Sequence, residues 1–319
     1  MYTPLTNQVS FSGLELQLLD KSKTARFLER VNTVIDWSLL ERRLQPLYCP
    51  DNGRPGHNPL LLFKALLLEQ WYQLSDHAAE EELKDRLSFR HFVGLTASNN
   101  PPDETSLVRF RAKLRERRLD EMLFNLIRDQ LRANQTEVRP GKVLLTDATL
   151  VEAPYGTQPK GRDGNGDFVK RGQTVTKGYK AHLARSQQDG LIETGLLTVA
   201  SCHESRFLDD LLNQVRGSIT GVIADKGYAS HERKRAFRRQ GIYYGILEKR
   251  WRNQQPLSQK QQRKNKRLIP VRAKVERPFA VFKRCYGWVS VRYVGLARNA
   301  AHLWHLATAF NLQLVALSA

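Results

Sequence analysis

Hydrophobic positions recur at helical spacing through the first 135 or so residues. Segments with this pattern cover 23–31, 36–40, 59–72, a stretch from 75 onward, 105–118 and 120–133. Ser75 has the character of a helix cap, because acidic residues follow it in the first turn. Clusters rich in Pro, Gly and Asn at 49–56 and 99–103 interrupt the pattern. The sequence therefore predicts an all-α amino-terminal region.

The periodicity changes after Pro140. Runs typical of strands cover 143–151, 178–184, 191–200, 219–224 and 241–247. Helices are predicted at 207–215, 230–240, 271–286 and 300–317, a glycine-rich loop at 161–172 and a basic low-complexity tract at 257–266. This order, opening with an antiparallel hairpin, is the ribonuclease H-like arrangement. We predict an α/β fold with an all-α amino-terminal domain over residues 1–138 and a ribonuclease H-like mixed-sheet domain over residues 139–319.

Composition adds a strong positive charge to this picture. Among 319 residues, 51 Lys and Arg face 32 Asp and Glu, a net charge of +19. Such a charge favours DNA, RNA or an acidic membrane surface as the partner. The longest apolar run, within 59–68, contains Lys64 and is too short to span a bilayer. The start of the chain lacks the pattern of a secretory signal, and three widely spaced cysteines suit a reducing cytoplasm.

Three carboxylates stand in positions that suit metal binding. Asp147 interrupts one apolar strand, Asp225 ends another, and Glu276 lies in a later basic, helix-patterned stretch. Carboxylates on neighbouring strands about 4.8 Å apart can share an ion, and two Mg²⁺ ions about 3.5–4 Å apart activate both oxygens of a phosphoryl transfer. Considered alone, Asp225 is as typical of a turn residue as of a functional one, and Glu276 is more typical of a solvated helix residue. A buried strand carboxylate such as Asp147 is costly unless it is paired or metal-bound.

Helical geometry links Glu276 to two cations. Arg272, Glu276 and Lys283 fall on nearly the same helical face, where the cations can bind phosphates. The alternative is simple pairing of Arg272 with Glu276. Pro278 disfavours one continuous helix, so either the helix is kinked or a new helix begins close to Glu276.

Basic residues are concentrated in two regions. Between 226 and 298, about twenty Lys and Arg stand against three acids. Candidate phosphate contacts there are Lys226, Arg250, Lys264 and Arg267. Trp251 can stack on an unpaired base or can simply anchor its loop. In the helix predicted at 105–118, Arg109 and Arg111 are candidates for reading the major groove, although such a helix can also touch only the DNA backbone.

With these residues in view, the chain resembles the transposases of the insertion-sequence five family over nearly its whole length. Matching segments in the helical part are 53–55, 61–68, 74–76, 89–95 and 102–111. Matching segments around the two aspartates are 146–149, 177–182 and 224–228. Arg272, Glu276 and Lys283 match the terminal signature of that family in spacing, while Ile269 stands at its tyrosine position. His203-Glu204-Ser205 departs from the more usual His-Asp-Ser, and we assign it no role.

The resemblance implies a DDE transposase with a ribonuclease H-like catalytic domain. Asp147, Asp225 and Glu276 would then bind two Mg²⁺ or Mn²⁺ ions per active site and catalyse cleavage and strand transfer at insertion-sequence ends. Expected partners are double-stranded DNA, as transposon ends and target, and further copies of the chain in a homodimer or larger homo-oligomer on DNA. No membrane partner is expected, and the expected location is the bacterial cytoplasm or nucleoid. A nuclease of the same fold without strand transfer and a catalytically silent DNA-binding descendant remain alternatives.

Overall fold

The computed structural model describes residues 22–48, 56–96, 99–134, 141–153, 163–250 and 256–318. The helices that precede the sheet are α1 (Lys23–Thr33), α2 (Trp37–Leu44), α3 (Pro59–Tyr72), α4 (Asp76–Asp85), α5 (Leu87–Val93), α6 (Glu104–Glu116) and α7 (Leu119–Ala133). They confirm the helical character predicted from the spacing of apolar residues. The break predicted at 49–56 lies, apart from Gly56, outside the described residues.

Side-chain caps fix where several of these helices begin. Asn58 accepts a hydrogen bond from the Leu60 amide ahead of Pro59, and Ser75 accepts one from Ala78. Helix α3 is apolar on all sides and buried over most of its length. A helix without a polar face requires neighbours all round, so α3 is the centre of the helical core.

The chain divides into two compact units. Met1–Gln135 and Trp304–Ala319 form the helical unit, and Thr136–Leu303 forms the sheet unit. The last helix, α12 (Leu296–Ser318), thus contributes its final residues to the helical unit, whereas the domains expected from the sequence left them with the sheet. The physical reason is packing within the helical unit: the Trp304 ring lies 4.9 Å from that of Phe124, and the side chain of Trp71 donates to the carbonyl of Ala309.

Among the described residues of the second unit, six strands form one mixed sheet. The strands are β1 (Lys142–Glu152), β2 (Asp167–Arg171), β3 (Thr174–Ser186), β4 (Ile192–Val199), β5 (Ile219–Ala224) and β6 (Tyr243–Ile246). Strand β1 is central: it pairs antiparallel with β3 on one side and parallel with β5 on the other, and β6 extends the parallel side. The first part of β3 pairs with β2 and the later part with β4. This mixed topology, after a helical region, confirms the predicted fold class.

Helices cover the two faces of this sheet. They are α8 (Leu208–Asn213), α9 (His231–Arg239), α10 (Gln259–Ala273) and α11 (Glu276–Arg284). Leu144 and Val222 pack against residues of α8 and α9, whereas Leu145 and Ile223 pack against Leu268 of α10. Because successive strand residues point to opposite faces, Asp147 belongs to the face that α10 covers.

Three sequence predictions need correction in this unit. The segment predicted as a loop at 161–172 contains β2, whose residues alternate poorly in polarity but pair with β3. The tract predicted as basic and low in complexity is α10, which Ser258 opens with a capping box to Gln261. The helix predicted at 271–286 is two helices, because α10 ends at Ala273 and α11 begins at Glu276. No helix within the described ranges has the length and apolarity needed to cross a bilayer.

Candidate active site

Two parallel strands bring Asp147 and Asp225 together. Thr146 of β1 pairs with Ala224 of β5; Asp147 is the next residue of β1, and Asp225 is the residue that follows β5. Asp225 precedes a short 3-10 turn, Lys226–Tyr228, but its side chain makes no capping hydrogen bond to that turn. Capping therefore does not account for Asp225, which follows the strand paired with the part of β1 that carries Asp147.

Asp147 is a carboxylate held almost out of water. It is 9% exposed. Burial raises the pKa of Asp147 to about 6, against the opposing effects of the Arg272 guanidinium and the Ala148 amide, and the carboxylates of Glu204 and Asp225 raise it further. A buried carboxylate with like charges beside it binds a cation or a proton favourably. This is the behaviour expected of a metal ligand in a strand.

Glu276 is connected to Asp147 through the side chain of Arg272. Arg272 Nη2 donates to Asp147 Oδ2 at 2.6 Å, and Arg272 Nη1 donates to Glu276 Oε1 at 2.6 Å. We call this three-residue arrangement the Arg272 clamp. The pairing of Arg272 with Glu276 that the sequence offered as an alternative is thus present, with Asp147 as a second partner. Arg272 lies in α10 and Glu276 opens α11, so the sequence alternative of a new helix starting near Glu276 is correct.

Helix α11 is anchored to the strand that carries Asp147. Pro278 lies in its first turn, where a missing backbone N–H interrupts no helical hydrogen bond. Lys283 Nζ donates to the carbonyl of Leu150 at 3.0 Å, three residues beyond Asp147 on β1. In this structure Lys283 therefore holds the helix against the strand, in addition to its predicted phosphate contact.

The described residues include no cluster of three or more His, Cys, Asp or Glu side chains placed to hold one ion. The Arg272 guanidinium lies between Asp147 and Glu276 and donates to both. The donor chemistry nevertheless suits a hard divalent cation, because carboxylate oxygens are its preferred ligands and one of them is desolvated.

A fourth acid, Glu204, belongs to the same neighbourhood and was missed from the sequence. It lies in the 3-10 turn Glu204–Arg206, next to the turn that follows Asp225. Glu204, Asp147 and Asp225 all raise the pKa of Tyr228, whose main cause is burial, while Arg272 lowers it. The sequence offered one signal. In His203-Glu204-Ser205, Glu204 stands at the position of the Asp in His-Asp-Ser, so an acid is present there with a longer side chain.

The predicted DNA-contacting cations of the sheet unit fall into two groups. Lys226, Arg250 and Arg267 are exposed. Lys264 instead packs inward, where its amine lies 2.8 Å from Glu248 Oε1 and donates to the carbonyl of Ile246. Because its amine is engaged with Glu248 and Ile246, Lys264 anchors α10 to the end of β6. Lys264 is therefore a poorer candidate for a phosphate contact than the exposed cations. Trp251 lies outside the described residues.

The two arginines of α6 that are candidates for contacts in the DNA major groove also divide into an exposed and an engaged side chain. On α6, Arg109 is exposed, whereas the Arg111 side chain is 11% exposed. Arg111 donates to Glu69 at 3.0 Å and also pairs with Asp76. The Arg111 guanidinium is therefore directed into the helical core. Because Glu69 and Asp76 accept its hydrogen bonds, we remove Arg111 from the candidate base contacts.

Comparison with known proteins adds two family matches. The family described as "Transposase DDE domain" matches residues 139–312, more than half of the chain, and "Transposase domain (DUF772)" matches residues 16–113. A solved structure described as "Cryo-EM structure of piggyBac transposase synaptic complex with hairpin DNA (SNHP)" is similar at 12% sequence identity and a TM-score of 0.42, over 96% of this chain and 74% of that chain. Both matched families are transposase families by description.

Proposed function

We propose that Asp147, Asp225 and Glu276 are the catalytic carboxylates of this chain, which belongs to the Transposase DDE domain family and acts in DNA strand cleavage and strand transfer. The observation that supports this choice most strongly is the position of Asp225 directly after the strand that pairs with β1 beside Asp147, with Glu276 joined to Asp147 through Arg272. The three acids come from distant parts of the sequence. A carboxylate buried in a central strand is unfavourable for folding unless it is paired or binds a cation, which supports a functional role for Asp147.

The family is generally dependent on divalent metal ions. We assign two Mg²⁺ or Mn²⁺ ions to this site, held by Asp147, Asp225 and Glu276. When bound, such ions supply an activated nucleophilic oxygen and stabilise the leaving oxygen of an in-line phosphoryl transfer. The desolvated position of Asp147 and the oxygen-only donor set support the assignment.

The residues around the acids bind and orient the DNA in this proposal. Arg272 neutralises Asp147 and Glu276 in the structure, and we propose that it transfers its hydrogen bonds to a DNA phosphate when the site is loaded. Lys283 keeps α11 against β1, so the position of Glu276 relative to Asp147 depends on it. Tyr228, in the turn that follows Asp225, is buried against residues of α8 and α9.

The exposed cations are the proposed DNA surface. Lys226 lies directly after Asp225, and Arg267 lies on the same helix as Arg272. Arg250 is exposed beyond β6, and Arg109 is exposed on α6 in the helical unit. Each phosphate contact by such a cation releases counterions, so binding should weaken steeply with salt.

We also propose a more specific family for this chain among the DDE transposases. The signature spacing of Arg272, Glu276 and Lys283 supports the insertion-sequence five family among DDE transposases. We propose action on double-stranded DNA, at insertion-sequence ends and at a target, by a homodimer or larger homo-oligomer in the bacterial cytoplasm. Two ends must be cut and joined together, which two copies of one active site accomplish.

A strand-transfer assay tests the proposed function. The full chain is incubated with a labelled duplex carrying an insertion-sequence end, a plasmid target and Mg²⁺, and products are resolved on a denaturing gel. Nicked ends joined to plasmid are the expected products, and chelation of the metal should remove both. Nicks without joined products would instead identify a nuclease of the same fold, and DNA binding without nicks would identify a catalytically silent protein.

A further inference from the structure

A buried arginine of β3 reaches the junction between α10 and α11. Arg185 is 7% exposed, and its Nε donates to the carbonyl of Gly190 at 2.7 Å. Its Nη1 donates to the carbonyl of Lys274 at 2.6 Å. Lys274 follows α10 and Val275 precedes α11, and we call these two residues the α10–α11 joint. Arg185 thus connects the joint directly to the sheet.

Pro278 explains why the Lys274 carbonyl takes a donor from another element. In a continuous α-helix that carbonyl would accept from the backbone amide four residues later, and position 278 is a proline without one. The amide of Arg277 lies 3.4 Å from the carbonyl, which is long for a hydrogen bond. The Arg185 guanidinium makes a shorter contact, and a charged donor gives the stronger kind of hydrogen bond. Arg185 therefore replaces the bond that Pro278 cannot make.

The joint stands between two residues of the Arg272 clamp. Arg272 comes two residues before Lys274, and Glu276 comes two residues after it. The Glu276 side chain is 59% exposed, so its own packing does little to fix its position. The place of Glu276 depends instead on where the joint is held against the sheet.

Arg185 holds the joint beside the strand that carries Asp147. It pairs across strands with Leu145 of β1, two residues before Asp147, and paired residues point to the same face of a sheet. Towards the end of α11, Lys283 donates to the carbonyl of Leu150, three residues after Asp147. The two contacts therefore tie the joint and α11 to the sheet on both sides of Asp147 along β1.

We propose that Arg185 is a positioning residue for this site, which holds the α10–α11 joint so that Glu276 keeps its position relative to Asp147. The role rests on the proposed function of Asp147 and Glu276 as catalytic carboxylates. Arg185 acts through the main-chain carbonyl of Lys274 and touches neither the DNA nor the metal ions. Its loss should therefore change the rate of cleavage and the requirement for metal ions, and leave the affinity for DNA nearly unchanged.

Single-turnover cleavage of an end-containing duplex by the full chain, measured over a range of Mg²⁺ concentrations, tests this role. Arg185→Gln shortens the side chain and removes the guanidinium. We expect the rate constant at saturating Mg²⁺ to fall about ten- to a hundredfold, and the half-saturating Mg²⁺ concentration to rise about tenfold. Arg185→Lys keeps the charge and one donor group, so its values should lie between those of Arg185→Gln and the unaltered chain. Affinity for end DNA should change less than about twofold in both variants.

The matched control is Arg90→Gln. Arg90 of the helical unit is also buried and also donates to main-chain carbonyls, those of Leu83 at 3.0 Å and Asn99 at 2.9 Å. Its replacement should lower the resistance to urea, but leave the rate constant and the half-saturating Mg²⁺ concentration unchanged. A purely structural arginine determines how much of the protein is folded, which alters the amplitude of a single turnover and not its rate constant.

A folded Arg185→Gln chain with the rate constant and Mg²⁺ requirement of the unaltered chain would overturn the proposed role. Arg185→Lys carries the same test if Arg185→Gln does not fold, and failure of both variants to fold would show that Arg185 serves the fold instead. Hydrogen exchange at residues 274–277, measured without DNA or metal, should be faster in Arg185→Gln than in the unaltered chain. Because this measurement needs no catalysis, it distinguishes a joint that Arg185 does not hold from an unaltered chain that does not cut DNA, which would refute the proposed function.

Discussion

Two arginines in different units make the same local arrangement, yet the arrangement serves different ends. Arg111 in the helical unit joins Glu69 to Asp76, and Arg272 in the sheet unit joins Asp147 to Glu276. In both cases one planar guanidinium donates to two carboxylates, which is the geometry this group favours. The contacts alone do not separate a structural ion pair from part of a reaction site.

The surroundings of the two arginines separate them. Glu69 is fully buried inside a helix that has no polar face, so the Arg111 arrangement closes the helical core. Glu276 is 59% exposed, and Asp147 shares its neighbourhood with Asp225 and Glu204. An excess of acids that includes a solvent-exposed carboxylate is suited to binding further cations, whereas a balanced and enclosed set is not. Excess negative charge and exposure to solvent therefore distinguish the candidate active site from the structural cluster.

The largest expected difference is in catalysis. Asp147→Asn or Asp225→Asn should lower the rate of end cleavage at least about a thousandfold, equivalent to about 4 kcal/mol of activation free energy, because an amide does not replace an anionic metal ligand. Affinity for end DNA should change less than about threefold, since neither aspartate is a phosphate contact. Single-turnover cleavage and a filter-binding assay measure the two quantities.

The matched control for those variants is Asp210→Asn, which changes an exposed acid of α8. It should cut as the unaltered chain does. Undiminished cutting by Asp147→Asn or Asp225→Asn would remove that residue from the proposed metal site and would make the sheet cluster structural, like the helical one.

The second difference is in stability. Arg111→Met should lower the free energy of unfolding by about 3 kcal/mol, because it leaves the buried Glu69 without its cation. Arg272→Met should lower it by less, about 1 kcal/mol, because Glu276 is mostly solvated and Asp147, whose pKa is raised to about 6, can take up a proton when the guanidinium is removed. Urea titration followed by circular dichroism measures both values. Equal losses for the two variants would mean that the Arg272 clamp also serves chiefly to hold the fold.

Most of the fold could be predicted because local signals and packing agree. Helix α3 has the predicted ends, where Asn58 with Pro59 starts it and the apolar run defines its length. Strand β5 likewise runs over the predicted residues 219–224, since a short apolar run between turn residues has few alternatives. Strand β2 was missed because its pairing with β3, rather than its own pattern, makes it a strand.

The sequence predicts which residues belong to the candidate site better than it predicts which residues they contact. The three acids could be proposed from the sequence because each stands out locally, above all Asp147 as a charge within an apolar strand. The partners of Arg272 and Arg111 depend on which helix faces pack together, and helical spacing gives only neighbours within one helix. Glu204 was missed for a related reason: its place beside Asp225 arises from contact between two turns that are distant in sequence.

Acid should destabilise the sheet unit through His182. This residue is buried on β3 with its ring 2.9 Å from the Thr198 hydroxyl, and burial together with the charge of Lys180 lowers its pKa to about 4. The unfolded chain takes up the proton near pH 6.5, so stability present above that pH is lost as the pH falls towards 4, by about 2–3 kcal/mol in all. Urea titrations between pH 7 and 4.5 measure the loss.

The matched variant for this effect is His182→Gln, which keeps a polar partner for Thr198 and cannot take up a proton near neutral pH. It should show a shallower loss of stability than the unaltered chain over the same pH range. Identical pH profiles for the two chains would show that His182 remains protonated in the folded state or is already neutral in both states.

The smallest expected effect decides whether the Arg272 clamp opens on DNA. If Arg272 moves from the acids to a phosphate, Arg272→Ala should weaken end binding about three- to tenfold and reduce the slope of log affinity against log salt by about one. Lys84→Ala, on an exposed face of the helical unit where the lysine pairs with two glutamates, should leave the slope unchanged. A slope that Arg272→Ala does not alter would mean that the guanidinium stays on Asp147 and Glu276 in the complex. The two arginines would then be equivalent, and the contrast between an enclosed cluster and an open one would rest on the acids alone.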